Sequence, residues 1–375
     1  MQTKPGLWFV VLASFIASLL IGPAVSVGSF TARAQEASTL SCEPSGVPAS
    51  PVPTTASTPN AVALRDGAIK VKVGYVTPVS IFAPLFVAKE KGYFAEQGLD
   101  VTLESIPTGS DLVALTATGE FDAGIGGVGP AFWNAMAGGL PLSVIAPGHA
   151  EGNPVATPLM ISKSNCESGA IKSVEDLRGK KVSVNGPGAT EYWLGQALGT
   201  AGMTLDDVDL QFLPFADAVA ALQSGAIAGA MIGEPLATAA EQNGIGVRLL
   251  TDFPVQDVQP TEIYGNQSFL DKNPKSAAGL VTAYLKACRE MASGGFDDPT
   301  DLAIIEQYTG IPADLVTQAV RPVYAVDGQI NLAGLSKLQS FFRERDQLEY
   351  DTDRDPATFV DTQFVDAALQ ELGPA

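Results

Sequence analysis

Two nine-residue stretches, Asp111-Leu-Val-Ala-Leu-Thr-Ala-Thr-Gly119 and Asp217-Ala-Val-Ala-Ala-Leu-Gln-Ser-Gly225, align without a gap and set the reading of the whole chain. Each spaces apolar residues as a helix does and stops at Gly, the residue best suited to a helix C-cap. Each follows a β-rich run ending in Pro (Pro107, Pro214) and precedes an apolar run ending in Gly (Gly126, Gly233). Short Ala-rich helices match easily, so the weight lies on their surroundings. Outward from the first stretch, strands are expected at 69–76, 101–106 and 121–125. Helices are expected at 83–97, stopped by Gly98, and at 111–118, capped by Ser110 or Asp111. Outward from the second, strands at 181–184, 208–213 and 227–232 alternate with helices at 190–201 and 217–224. The chain is therefore read as two β-α-β-α-β lobes of one design. Beyond them, helices are expected at 274–292, 299–308, 312–320, 331–347 and 356–372. They are short and separated by Gly/Pro turns, which favours packing back on the lobes over a separate bundle.

Composition agrees with two folded lobes. A single core rarely outgrows about 250–300 residues, and this chain has 375, of which 46% are hydrophobic and 17% charged. The 41 acidic and 22 basic residues leave a formal charge of −19. That excess repels phosphate backbones and excludes nucleic acid as a partner. One His and three scattered Cys cannot build an ordinary zinc site or a disulfide-dense scaffold. No metal, cofactor or catalytic set is expected.

The first 34 residues carry Lys4 and Arg33 but no acid, around an apolar stretch at 7–21 and an Ala-Arg-Ala end at Ala34. This is the pattern of a cleaved secretory signal; the apolar stretch is shorter than the roughly 20 residues a membrane span needs. Its removal takes two positive charges and brings the mature chain from −19 to −21. Residues 35–66, rich in Ser, Thr and Pro, are expected to form a flexible leader. Cys42 lies in that leader, and a lipidated Cys42 would tether the protein. The position three before it, where a lipid-attachment signal wants a Leu-like residue, holds Thr39. Cys166 and Cys288 are read as unpaired or buried, with a bridge between them left open for an exported protein.

Ligands of open parallel sheets bind beyond the carboxyl ends of the strands. That rule selects the loops 77–80, 108–111 and 126–130 in the first lobe, and 185–190, 215–217 and 233–235 in the second. They are rich in Gly, Ser and Thr and contain neither Lys nor Arg. Nearby aromatic residues are Phe82, Phe132, Trp133, Tyr192, Trp193, Phe215 and Tyr264. Most are expected in the core. Tyr192 is the stacking candidate because its neighbour Glu191 suggests an exposed first turn. Glu234 follows a buried run, so its carboxylate needs either a partner or a ligand donor. His149 falls where the chain leaves the first lobe, at the expected edge of the cleft.

The run Ala83-Pro-Leu-Phe-Val-Ala-Lys-Glu-Lys-Gly-Tyr-Phe-Ala-Glu-Gln-Gly-Leu-Asp-Val101 resembles the first-lobe signature of nitrate/sulfonate/taurine-type substrate-binding proteins. These ABC-importer receptors are related to the thiamine-pyrimidine synthases of yeast (NMT1-like). The segments Gly119-Glu-Phe-Asp-Ala-Gly-Ile125, Ser173-Val-Glu-Asp-Leu-Arg-Gly-Lys-Lys-Val182 and Met231-Ile-Gly-Glu-Pro235 extend the likeness in family order, over about residues 69–370. The resemblance implies an α/β fold of the type II periplasmic-binding-protein kind, two α/β lobes joined by a two-strand hinge. Crossings fall near 154–158 and 253–258. Lobe 1 is then 67–155 plus 255–375, with the C-terminal helices, and lobe 2 is 156–254. It places Thr77, Ser110, Gly127, Thr190, Tyr192 and Glu234 in the cleft, with His149 at its edge. The His/Cys-rich iron motif of the yeast enzymes has no counterpart here.

The function implied is a monomeric, non-catalytic receptor in the periplasm or at the cell surface. Its partners would be a small-molecule solute (a sulfonate, nitrate or taurine by family) and an ABC permease transmembrane subunit. Two alternatives stand beside it: a receptor for a pyrimidine or other heterocyclic vitamin precursor, suited by Glu191, Glu234 and Tyr192, and a pyrimidine-synthase-like enzyme.

Overall fold

The computed structural model describes residues 40–43, 64, 67–76 and 79–375. The expected signal segment, most of the leader and Thr77 lie outside the described residues. All the described residues fall within one compact unit, Thr39–Ala375.

Twelve strands are present among the described residues: β1 (Ile69–Val76), β2 (Leu99–Ile106), β3 (Ala123–Gly127), β4 (Leu142–Pro147), β5 (His149–Ala150), β6 (Leu159–Ser162), β7 (Lys181–Val184), β8 (Asp209–Phe212), β9 (Gly229–Met231), β10 (Gly246–Leu250), β11 (Thr261–Asn266) and β12 (Val323–Tyr324). Two five-stranded sheets have the orders β2-β1-β3-β11-β4 and β8-β7-β9-β6-β10. In each, three parallel strands are followed by an antiparallel strand, β11 or β6, contributed by a chain arriving from the other sheet. The fold is the two-lobed α/β architecture expected.

The repeat extends to single backbone bonds. Its helices are Gly109–Ala117 and Phe215–Ser224. Each buries residues four apart on one face, Leu112 with Thr116 and Ala218 with Leu222. Past the helix, Gly119 (φ 81°) and Gly225 (φ 74°) turn the chain through the left-handed region. Glu120 and Phe121 then donate to the Leu115 carbonyl, as Ala226 and Ile227 donate to that of Ala221. Asp122 N–H next reaches Lys72 O at 2.9 Å and Ala228 N–H reaches Lys181 O at 2.8 Å, each leading into the next strand. Cap identity differs from the expectation: Thr108 caps the first helix, its hydroxyl accepting from Asp111 N–H at 3.1 Å.

Two further elements break where one helix was expected. The 83–97 region is the helix Ala83–Glu90 and a short turn of helix Tyr93–Glu96, divided at Lys91-Gly92. The 356–372 region is a 3₁₀ turn, Pro356–Phe359, and the helix Gln363–Leu372. In each case a dividing residue, Gly92 or Val360, leaves the αR region before the apolar spacing ends.

β1 alternates as its sequence dictates: Val71, Val73 and Tyr75 enter a core shared with Phe86, Leu285 and Phe364. A second core runs continuously through both lobes, joining Leu112 and Trp133 to Val182 and Trp193. Leu335, Leu338 and Phe342 of the helix Leu332–Glu344 complete it. Burial of one such side chain contributes about 1.5–3 kcal/mol. This helix, placed with the first lobe by sequence, thus packs on both lobes. The chain crosses twice, between β4 and β6 and between β10 and β11. Most of each crossing is irregular chain, tied to the other by Val155 N–H donating to Thr251 O at 2.9 Å and Gln256 Nε2 donating to Gly152 O at 3.0 Å. Among the described residues two X-Pro bonds are cis, Asn153-Pro154 at the crossing and Glu234-Pro235 after β9.

The pairing of Cys166 differs from the expectation, while the state of Cys288 agrees with it. Cys42 is bridged to Cys166, in the helix Lys163–Glu167, and Cys288 is the free, buried thiol. Spacing could not reveal a bridge across 124 residues. With its sulfur in a disulfide, Cys42 has no thiol for lipid attachment.

Candidate functional site

The parallel strands of the first sheet end at Val76, Ile106 and Gly127, and those of the second at Val184, Phe212 and Met231. β11 begins at the same end of its sheet, since Thr261 pairs with Gly127 and Glu262 with both Gly126 and Pro147. The lobes meet at these ends: a Cβ on Gly129 would lie 3.6 Å from the Pro187 carbonyl oxygen and 3.7 Å from the Gly188 Cα. Ser110 is exposed, its hydroxyl 3.1 Å from that of Thr108. Gly127 ends β3, and Thr190, in the first turn of the helix Ala189–Gly199, accepts from Asn185 N–H at 3.3 Å. These three stay at the cleft ends of their sheets; Thr77 lies outside the described residues.

The other three candidates have structural partners. Tyr192 is buried, not exposed: its ring packs edge-on against Trp193 and Phe341, at centroid distances of 5.5 and 5.2 Å, and burial pushes its pKa up. Its neighbour Glu191 is fully buried, paired with Arg345 at 3.1 Å and accepting from Gln347 at 2.7 Å, so Glu191 marks a contact with the C-terminal region. Glu234 is buried and bonded to Arg248 at 2.7 Å, and Arg248 also holds Glu241 at 2.6 Å. Glu234 further accepts from Thr238 N–H at 3.1 Å and from Val320 N–H at 3.3 Å, linking lobe 2 to the C-terminal region. A carboxylate so engaged is not free for a ligand. His149 is buried on β5, with Nδ1 at 2.7 Å from the Thr261 hydroxyl, and burial lowers its pKa to about 4. A neutral, bonded imidazole there braces β11 rather than lining the cleft edge.

Two groups escaped the sequence reading. Glu151, in the first crossing, accepts from Trp193 Nε1 at 2.8 Å and from Ala156 N–H at 2.5 Å, fastening the crossing to lobe 2. Glu262 and Tyr264 lie two apart on β11 and so share one face of the sheet. Both are completely buried, and neither carboxyl oxygen of Glu262 nor the Tyr264 hydroxyl has a hydrogen-bond partner among the described residues. Burial holds the Glu262 carboxyl well above its ordinary pKa. The signal for Glu262 was an acid inside a β-rich run, Thr261-Glu-Ile-Tyr-Gly-Asn266, whose every residue is buried. Among the described residues no group of three or more His, Cys, Asp or Glu is placed to hold a metal, and no helix is long and apolar enough to cross a membrane.

The sequence profile of the NMT1-like family matches residues 67–300, which takes in both sheets. This chain belongs to the NMT1-like family. Among curated relatives, the NMT1-like chain is 28% identical over 270 residues to the bicarbonate transport ATP-binding protein CmpC of Synechococcus elongatus, covering 66% of this chain and 39% of CmpC. It is 26% identical over 294 residues to the nitrate/nitrite binding protein NrtA of Nostoc, covering 74% of this chain and 64% of NrtA. The chain thus spans less than two thirds of the length of these relatives. The crystal structure of the periplasmic nitrate-binding protein NrtA from Synechocystis superposes with a TM-score of 0.66 at 18% identity, covering 82% of this chain and 90% of that one. The desulfurization enzyme DSZB superposes at 0.58 and 14% identity, covering 81% and 99%, so this fold serves catalysts as well as receptors.

Proposed function

We propose that this protein is the extracytoplasmic solute-binding component of an ABC importer, capturing a small polar solute between its lobes and delivering it to a permease. The observation that carries the reading is the meeting of two repeated sheets at their carboxyl ends, with Gly129 of one against Pro187-Gly188 of the other. Two crossings joined by few bonds leave the lobes a hinge about which to part. On this reading lobe 1 is 67–155 with 255–375, lobe 2 is 156–254, and the receptor works as a monomer in the periplasm or at the cell surface. Ser110, Gly127 and Thr190 remain its candidate contacts. Non-catalytic action is favoured by the state of the chain's one His, which is buried, neutral and bonded to Thr261.

A thermal-shift screen of the purified protein against sulfonates, nitrate, taurine and pyrimidines tests the reading. A true solute raises the melting temperature by mass action, about 2.7 kcal/mol of stabilisation at a hundred times Kd. Turnover of a pyrimidine without any stabilising solute would instead make the protein an enzyme.

A further inference from the structure

We propose that the helix Leu332–Glu344, with the chain as far as Gln347, moves as part of lobe 2, and that Asn134 of lobe 1 clasps it only while the lobes are together. The clasp rests on the hinged-receptor reading and deepens it by naming what holds the empty cleft closed.

The path of the chain marks this segment off. Up to Tyr324 it belongs to lobe 1: β12 pairs with β5, and the Tyr324 hydroxyl donates to the Ser80 carbonyl at 3.3 Å. Residues 329–331 then lie along the second crossing. Gln259 Nε2 donates to Gln329 O at 2.9 Å, and Asn331 N–H donates to Gln259 Oε1 at 2.7 Å. Past the helix the chain is back in lobe 1 by Asp361, whose N–H donates to Val144 O at 2.9 Å, and Phe364 and Val365 enter the first core. The stretch between is an excursion that starts at the hinge.

Apolar packing does not decide which lobe the excursion follows, because Leu335, Leu338 and Phe342 enter a core shared by both. Directional contacts do. Toward lobe 2, the completely buried Glu191 is held by Arg345 at 3.1 Å and by Gln347 Nε2 at 2.7 Å, and Phe341 sets its ring edge-on to Tyr192. Arg345 also reaches Asp206 at 3.2 Å. Toward lobe 1, beyond Lys337 meeting Asp257 in the crossing, the contacts among the described residues converge on Asn134. Its Nδ2 donates to the Gln347 carbonyl at 3.2 Å, and its Oδ1 accepts from Glu349 N–H at 2.9 Å. Withdrawing a guanidinium from a fully buried carboxylate is far costlier than exchanging amide bonds for bonds to water. Asn134 is half-buried and Glu349 exposed, so the lobes part there.

The clasp sits where it can act on the cleft. Asn134 lies in the helix Pro130–Ala137, which starts directly after Gly129, and Glu191 in the helix that starts directly after Gly188. Gly129 and Gly188 are the residues that face each other between the lobes. Gln347 thus touches both walls, lobe 2 through its side chain and lobe 1 through its carbonyl. A clasp so placed sets the fraction of closed protein before solute arrives, and apparent solute affinity scales with the competent fraction.

The test is pulsed dipolar EPR of the full chain without solute, labelled in pairs at three exposed positions: Thr102→Cys in lobe 1, Glu175→Cys in lobe 2 and Glu344→Cys at the end of the helix. Cys42 and Cys166 are bridged and Cys288 is buried, so the label goes to the introduced thiols. The expected result is one narrow distance between 344 and 175, with broad distributions for 102–175 and 102–344. Asn134→Ala should raise the long-distance fraction several-fold in both of the latter and leave 344–175 unchanged. A fixed 102–344 distance beside a broad 102–175 overturns the proposal and leaves the hinge standing. So does an Asn134→Ala variant whose distances all match wild type, since bonds that were merely structural would alter only the melting temperature. Single narrow distances for all three pairs in both proteins would mean that the lobes do not part, and the hinged-receptor reading would fall with the clasp.

Discussion

The two lobes are built on one strand order and even repeat individual backbone bonds, yet lobe 1, which pairs its buried Asp301 with Lys91, does not pair every buried acid as lobe 2 does. Lobe 2 closes its acids on cations: Arg248 sits 2.7 and 2.6 Å from Glu234 and Glu241, and Arg345 reaches across to Glu191. Lobe 1 leaves Glu262 and Tyr264 orphaned at the cleft end of the equivalent antiparallel strand. A repeat fixes where loops fall, and so which positions can line a cleft. Which lobe supplies recognition depends on which polar groups the fold leaves open.

The comparison breaks most readily at Arg248. Replacing it with Met strands two buried carboxylates and is expected to cost about 3–5 kcal/mol in denaturant unfolding. A loss under about 1 kcal/mol, the scale of an exposed pair, would mean that lobe 2 is not braced through this ion pair. Next comes the disulfide, which pins the leader to lobe 2 across 124 residues. Cys42→Ser should lower stability by about 2–4 kcal/mol, measured in the oxidised protein against its variant.

Glu262→Gln sharpens the comparison because its sign is reversed. Burial raises the native carboxyl's pKa well above 4.5, the ordinary value at which the unfolded chain ionises. This group's contribution is therefore complete below that pH and is lost as pH rises toward the raised native value. The variant's advantage should grow above pH 4.5, by at most about 1.4 kcal/mol per unit. A variant less stable than wild type at alkaline pH would show that Glu262 has a structural partner. Smallest of all, Ser110→Ala, at a hydroxyl in the first turn of its helix, should change stability by less than about 0.5 kcal/mol.

The fold was legible because it is written in local patterns: alternation in Ile69–Val76, helical spacing before Gly119 and Gly225, and their recurrence in order. The candidate site was legible only where loop position decides it, as for Ser110, Gly127 and Thr190. Glu234 and Tyr192 were misplaced because their partners, Arg248 and Phe341, come from other elements and leave no mark at the residue itself. Glu191 looked exposed for the same reason, since Arg345 lies 154 residues away. Glu262 and Tyr264 were hidden differently. They belong to an antiparallel strand that returns to lobe 1 after the second crossing, outside the repeat that drew attention to the loops.

A thermal-shift screen of the full chain against sulfonates, nitrate, taurine and pyrimidines tests most directly that the two lobes close on a small polar solute. The account predicts a saturable rise in melting temperature with at least one of them. Turnover of a pyrimidine with no stabilising solute would contradict it.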